Sequence, residues 1–219
     1  MKISKLMVTF LRFFFYLIYQ PLAWSYDLVA ALVSANRWKD WVRSSAAFLT
    51  GSEVLELGHG PGHLQEHMVK LGYAPIGLDL SRQMGKLAQR RLTRLSAAGH
   101  LVRGNGRALP FSNGSFDNIV ATFPTEYIME TVTLREAYRV LRPDGRMIIL
   151  ASVNFTGNNV LDKALTLLYR ITGQGQPDDA LFARAIQHIQ SVGFNTHMEW
   201  VEMRNSKILF ALLEKRQGQ

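Results

Sequence analysis

A five-residue turn, Gly58-His59-Gly60-Pro61-Gly62, stands between an apolar run at 53–57 and a segment in which Leu64, Met68 and Leu71 recur at i, i+4 and i+7. Strand, glycine turn, helix is the order of a crossover unit, and a crossover returns the chain to a parallel strand. The alternation continues. A strand at 76–80, a helix at 83–97, strands at 101–103 and 118–122, a helix at 134–141 and a strand at 146–151 follow, the last introduced by Arg142-Pro143-Asp144-Gly145. Such a pattern predicts an α/β three-layer sandwich with a mostly parallel sheet, whose ligands bind at the carboxyl ends of the strands. The tail adds a helix at 180–192 and strands at 196–201 and 207–213, whose short connection predicts an antiparallel C-terminal pair.

The turn also carries chemistry. Glycines let backbone N–H groups approach a ligand closely, but the spacing is G-x-G-x-G, and Pro61 removes a donor that a pyrophosphate would use. Asp79 ends the second strand, where a carboxylate accepts the two hydroxyls of a ribose. The expected ligand is a nucleoside without a diphosphate.

With 219 residues, 47% of them hydrophobic, the chain has the length of a single core. The absence of cysteine excludes a disulfide framework, a thiolate metal site and a Cys nucleophile. The histidines, His59, His63, His67, His100, His188 and His197, show no metal-ligand pattern, so no metal is expected. Lys and Arg number 25 against 17 Asp and Glu, and residues 80–116 hold Arg82, Lys86, Arg90, Arg91, Arg94, Arg103 and Arg107 with no acid. This stretch reads either as a solvated basic face or as a surface for RNA, an anionic membrane or an acidic substrate.

Residues 1–24 are the most apolar part of the chain. Arg12 interrupts the run, which is too short for a span of ~20 residues, and no small-residue cleavage site follows. At helical period Lys5, Thr9, Arg12, Tyr16 and Gln20 mark one side, and Ile3, Phe10, Phe13, Phe14 and Leu17 fall opposite. This amphipathic helix has two readings, a lid packed over the body or a helix lying in a membrane interface. A second helical stretch is expected from Pro21 to Thr50-Gly51. The domain reading is therefore an N-terminal cap or membrane-contact segment at 1–45 and a body at 46–219, with an acceptor-side insertion around 154–190.

Four motifs in order, Glu56-Leu57-Gly58-His59-Gly60-Pro61-Gly62, Gly77-Leu78-Asp79-Leu80-Ser81, Ala108-Leu109-Pro110-Phe111 with Ser115-Phe116-Asp117, and Leu141-Arg142-Pro143-Asp144-Gly145-Arg146, resemble those of class I S-adenosylmethionine-dependent methyltransferases. The similarity is to the small-molecule branch that includes quinone-biosynthesis and bacterial phospholipid N-methyltransferases. It runs from Trp24, with Tyr26-Asp27 resembling an opening motif of that branch, to Ser152.

The resemblance implies a Rossmann-like fold, S-adenosyl-L-methionine as cofactor and S-adenosyl-L-homocysteine as product. It assigns Glu56, Gly58 and Gly60, with Gly62 and His59 in the same turn, to the methionine part, Asp79 to the ribose, and Leu80 and Ser81 to the adenine. Asn105-Gly106 stands where the family usually has an Asp, and Thr122 ends the fourth strand beside the cofactor. His59 replaces a small residue and is read either as a contact to the methionine carboxylate or acceptor, or as solvent-facing. Transfer from a sulfonium needs alignment and exclusion of water, and a base only for a protonated acceptor. Glu126 is the expected base, unless it serves only as a helix-start carboxylate, with Tyr127 to orient the acceptor and Phe123 to exclude water. Tyr16, Tyr19 and Tyr26 are expected either at the acceptor from the cap or in packing.

The expected partner is a lipophilic small-molecule acceptor, a phospholipid amine or a quinone precursor. The expected location is the cytoplasm, with peripheral contact to the inner face of an anionic membrane. Two alternatives stand beside this reading. An RNA methyltransferase rests on the basic charge alone and lacks an Asn/Asp-Pro-Pro-aromatic motif after the fourth strand. A non-catalytic cofactor-binding subunit rests on Asn105.

Overall fold

The computed structural model describes residues 26–95, 100–157, 162–163 and 179–216. Two short helices come first, α1 (Tyr26–Ser34) and α2 (Trp38–Ser44), followed by a 3₁₀ turn at Ser45–Phe48. Then come β1 (Val54–Leu57), α3 (His63–Lys70), β2 (Ile76–Asp79), α4 (Arg82–Thr93), β3 (His100–Arg103) and β4 (Phe116–Thr122). After a 3₁₀ turn at Glu126–Met129 follow α5 (Thr131–Val140), β5 (Leu141–Phe155), α6 (Asp179–Ser191), β6 (Phe194–Met203) and β7 (Ser206–Lys215).

The strands form one seven-stranded sheet in the order β3-β2-β1-β4-β5-β7-β6. Strands β1 to β5 run parallel, and β7 lies antiparallel between β5 and β6. This is the expected three-layer α/β sandwich. Strand periodicity separates its two cores, since successive side chains leave opposite faces of a sheet. Leu55, Leu57, Ile119, Ala121, Met147 and Ile149 pack on one face with Leu134 and Ala137 of α5 and Ile189 of α6. Val54, Val120, Ile148 and Leu150 pack on the other with Leu64 and Met68 of α3 and Trp41 and Val42 of α2. Trp41 is 1% exposed, and its indole N–H donates to Ser206 Oγ at 3.0 Å, which fastens α2 to β7.

Three elements depart from the sequence reading. The helix expected from Pro21 to Thr50 is broken after Ser34, where Ala35 and Asn36 take φ of 50° and 62° and the Asn36 N–H reaches back to Ala31 O. Asn tolerates the left-handed conformation that ends a helix. The Arg142-Asp144 turn is not a separate loop but an irregularity within β5. Leu141 pairs with Phe116 and Arg146 with Asn118, so the extra residues bulge out through Asp144 at φ 63°. The C-terminal strands are longer than expected and turn through Arg204 and Asn205 alone, because pairing with β5 on one side and β6 on the other stabilises all of β7.

Candidate functional site

The carboxyl ends of β1, β2 and β4 surround a cavity of about 360 Å³. The glycine turn forms its floor. Gly58, Gly60 and Gly62 all take positive φ, and the Gly58 N–H donates to Leu78 O at 2.7 Å. The glycines do different work. A Cβ on Gly58 would stand 3.2 Å from the Tyr127 hydroxyl, whereas one on Gly62 would meet Ala88 Cβ of α4 at 2.8 Å. Gly62 is not among the lining residues, so its role is close packing of the turn against α4.

Asp79 is fixed by two backbone donors. Its Oδ2 accepts from the Gly60 N–H at 2.9 Å and its Oδ1 from the Ser81 N–H at 2.7 Å. Each oxygen keeps a lone pair, and the pair can accept two neighbouring hydroxyls. Ser81 Oγ caps α4 by accepting from the Met84 N–H at 3.3 Å. Leu80 stands exposed at the rim.

Glu56 is 1% exposed. Gln65 Nε2 donates to its Oε2 at 2.8 Å. Burial pushes the carboxyl up to about 8, the Gln65 hydrogen bond opposing the rise and the Asp79 charge adding to it. Gln65 Oε1 is buried without a hydrogen-bond partner. A buried carboxyl beside an unsatisfied amide oxygen is a receptor for a cationic donor such as an ammonium. Together with Asp79, these groups fit a ligand carrying an ammonium at one end and a ribose at the other. Gln65 was not singled out from the sequence. It lies nine residues after Glu56, and only the fold of strand onto helix joins them.

His59 is 4% exposed, which corrects the solvent-facing reading. Its Nδ1 donates to Gly60 O at 2.7 Å, and burial, only partly offset by Asp79, holds the imidazole below its usual value. Asn105 lines the cavity with Oδ1 accepting from the Arg107 N–H at 3.0 Å, so the side chain is held by its own turn. Gly106 is buried next to Tyr127.

The opposite wall is aromatic. Phe123 takes φ of 47°, a strained value for a bulky residue, and is held by its N–H to Leu150 O at 3.0 Å. Its ring stacks on Trp38 at 6.5 Å and meets Trp41 edge-on at 6.3 Å. Thr122, Phe123, Tyr127, Trp38 and His63 all line the cavity. Glu126 does not; its side chain is exposed at the start of the 3₁₀ turn. Tyr26 begins α1, and Tyr16 and Tyr19 lie outside the described residues.

The basic stretch is not a single open face. Arg91 turns inward to Pro61 O at 3.0 Å, Glu66 at 3.2 Å and Asp27 at 3.1 Å. Arg107 pairs with both carboxylate oxygens of Glu130, at 2.5 and 2.6 Å. Among the described residues, no group of three His, Asp or Glu side chains stands close enough to hold a metal.

The methyltransferase domain family matches residues 55–149, the span that holds the glycine turn, Asp79 and the loop after β4, with Trp38 and Val42 of the lining outside it. The match is to a methyltransferase domain, and the fold is that of solved methyltransferase structures. Over 142 residues it is 32% identical to demethylmenaquinone methyltransferase of Lactiplantibacillus plantarum, covering 61% of this chain and 60% of that protein. Over 162 residues it is 32% identical to the ubiquinone/menaquinone biosynthesis C-methyltransferase UbiE of Blochmanniella floridana, covering 69% and 61%. The chain thus spans about 60% of the length of the curated relatives it matches. An S-adenosyl-L-methionine-dependent methyltransferase structure from Methanococcus maripaludis superposes on the methyltransferase fold with a TM-score of 0.68 at 17% identity, covering 92% of this chain and 95% of that one. A geranyl diphosphate methyltransferase solved with its substrate and sinefungin gives 0.57 at 12%, covering 81% and 77%.

Proposed function

We propose that the protein transfers a methyl group from S-adenosyl-L-methionine to a lipophilic quinone precursor with a phenolic ring. One observation carries the reading: a single cavity joins Glu56, held from behind by Gln65, and Asp79 to an aromatic wall of Trp38 and Phe123. Relatives that act in quinone biosynthesis support it. When bound, the cofactor supplies a methyl on a sulfonium that is already an activated leaving group.

The chain's own residues then align and enclose. Glu56, oriented by Gln65, holds the ammonium, and Asp79 holds the ribose hydroxyls in the geometry set by the Gly60 and Ser81 N–H groups. Leu80, Ser81, Asn105 and Gly106 border the adenine. Thr122, Phe123 and Tyr127 close the transfer line against water, and Tyr127, beside Gly58, orients the acceptor. His59 stiffens the turn by its bond to Gly60 O. An exposed Glu126 is poorly placed to take a proton in the cavity.

An aromatic wall favours a planar acceptor over a phospholipid amine. The self-paired Arg91 and Arg107 weaken the RNA reading. No helix of the described residues is long and apolar enough to cross a membrane. Contact with the inner face of an anionic membrane through residues 1–24 is part of the proposal, and co-sedimentation with anionic vesicles checks it. For the activity, methyl-labelled cofactor is incubated with a demethylated quinol, phospholipid and RNA. Label in the quinol is expected, and label in RNA or phospholipid instead overturns the acceptor.

A further inference from the structure

Carbon methylation of a phenolic ring needs a base at the acceptor end of the cavity, and the cavity has a histidine there that the cofactor does not require. His63, the first residue of α3, is 3% exposed, lines the cavity and meets the Trp38 ring edge-on at 5.4 Å. Its Nε2 lies 2.7 Å from Asp27 Oδ1 on α1. Asp27 Oδ2 accepts from Arg91 Nη2 of α4 at 3.1 Å, and Arg91 is itself anchored to Glu66 and Pro61 O. The hydrogen bond from His63 holds the Asp27 carboxyl below its usual range, helped by the charges of Arg91 and Lys39. An ionised carboxylate has no proton to give, so the short contact requires the proton on Nε2. Nδ1 is then the nitrogen that accepts.

Resting on the acceptor class proposed above, we infer that His63 is the general base for the acceptor hydroxyl and that Asp27, locked by Arg91, is its positioning residue. The phenol O–H bond breaks and its proton bonds to Nδ1. The electron pair released into the ring closes on the methyl carbon while the carbon–sulfur bond breaks with its pair to sulfur. The methylated ring carbon sheds its hydrogen to water as a proton, and the oxygen recovers the proton from Nδ1. One proton is released overall. The charged groups around the imidazole are Asp27 from α1, Lys39 from α2 acting on Asp27, Glu66 on α3 and Arg91 from α4, with His59 and Asp79 elsewhere in the same cavity.

Two measurements test this. In the ¹⁵N-histidine spectrum of the full chain without cofactor, the signals lost in His63→Gln should show the Nε2–H tautomer, and an Nδ1–H tautomer overturns the assignment. In turnover with a demethylated quinol, kcat/KM should rise with pH to a plateau. His63→Gln should lose that limb and about 10²- to 10⁴-fold in kcat with cofactor-analogue Kd unchanged. Asp27→Asn, whose amide can donate as well as accept, should release the tautomer constraint, so that the His63 signals show both tautomers and kcat falls with cofactor-analogue Kd unchanged. Wild-type turnover with both variants matching its kcat and pH profile overturns the role of His63 and leaves the proposed function standing. Binding of cofactor without transfer to any quinol removes the proposed function, and the base with it.

Discussion

The two walls of the cavity are built in different ways. The wall proposed to hold the cofactor comes from residues 56–81, a contiguous stretch in which Glu56, the glycine turn, Gln65 and Asp79 are tied together mostly by backbone donors. The wall proposed to face the acceptor is assembled from α2, α3 and the loop after β4, backed by Asp27 of α1 and Arg91 of α4, segments separated by up to about a hundred residues and joined by ring contacts and ion pairs. A ligand shared by many enzymes can be met by one rigid local unit. A particular acceptor calls for a wall whose members vary independently, and the aromatic and charged contacts that hold this one are where such variation acts.

Substitutions that damage one wall alone sharpen this contrast. The largest effect is expected for Trp41→Ala, which removes a buried indole beneath the acceptor wall and its bond to Ser206. Unfolding should cost about 3–5 kcal/mol less in a denaturant titration, with cofactor-analogue affinity in the folded protein within about threefold of wild type. Glu56→Gln comes next. A carboxyl whose native value is raised to about 8 contributes stability that is fully present below its unfolded value near 4.5 and lost as pH rises through 8. The wild type without cofactor should therefore lose on the order of 2–4 kcal/mol between pH 5 and pH 9. Glu56→Gln should flatten that dependence while weakening cofactor binding, and a wild-type curve flat across the range would contradict a protonated Glu56. Asp79→Ala removes the carboxylate that Gly60 and Ser81 anchor. Calorimetric affinity for a cofactor analogue should fall about 30- to 100-fold, roughly 2–3 kcal/mol, leaving the Trp38 and Phe123 wall intact. The smallest effect is expected for Glu126→Gln, with kcat within about twofold of wild type, because the side chain is exposed and outside the cavity lining.

The placement of the proposed cofactor wall is largely legible in the sequence. Gly58, Gly60 and Asp79 stand where the turn and the end of β2 were expected to place them. Gly62 was read as a ligand contact and is instead a packing residue, a distinction that depends on Ala88, 26 positions away. His59 left two readings open, and burial decided against solvent. Glu126 is suggested by its place after β4, but it is exposed at the start of a 3₁₀ turn while Phe123 and Tyr127 line the cavity. The sequence offers His63 only as a candidate metal ligand, since nothing along the chain shows that Asp27 stops 2.7 Å from it.

Sequence by itself determined the layers, the parallel strands and the cofactor turn. Those depend on the period of apolar residues and on short-range backbone geometry, which act within one crossover unit. Tertiary structure alone decided that β7 inserts between β5 and β6, that Arg91 and Arg107 pair within the chain, and that Trp38, Phe123 and His63 share a wall with Asp27 bonded to the histidine. Each of those depends on which side chains meet after the sheet has closed. Ion pairs and ring contacts between distant segments have no period for a linear reading to follow.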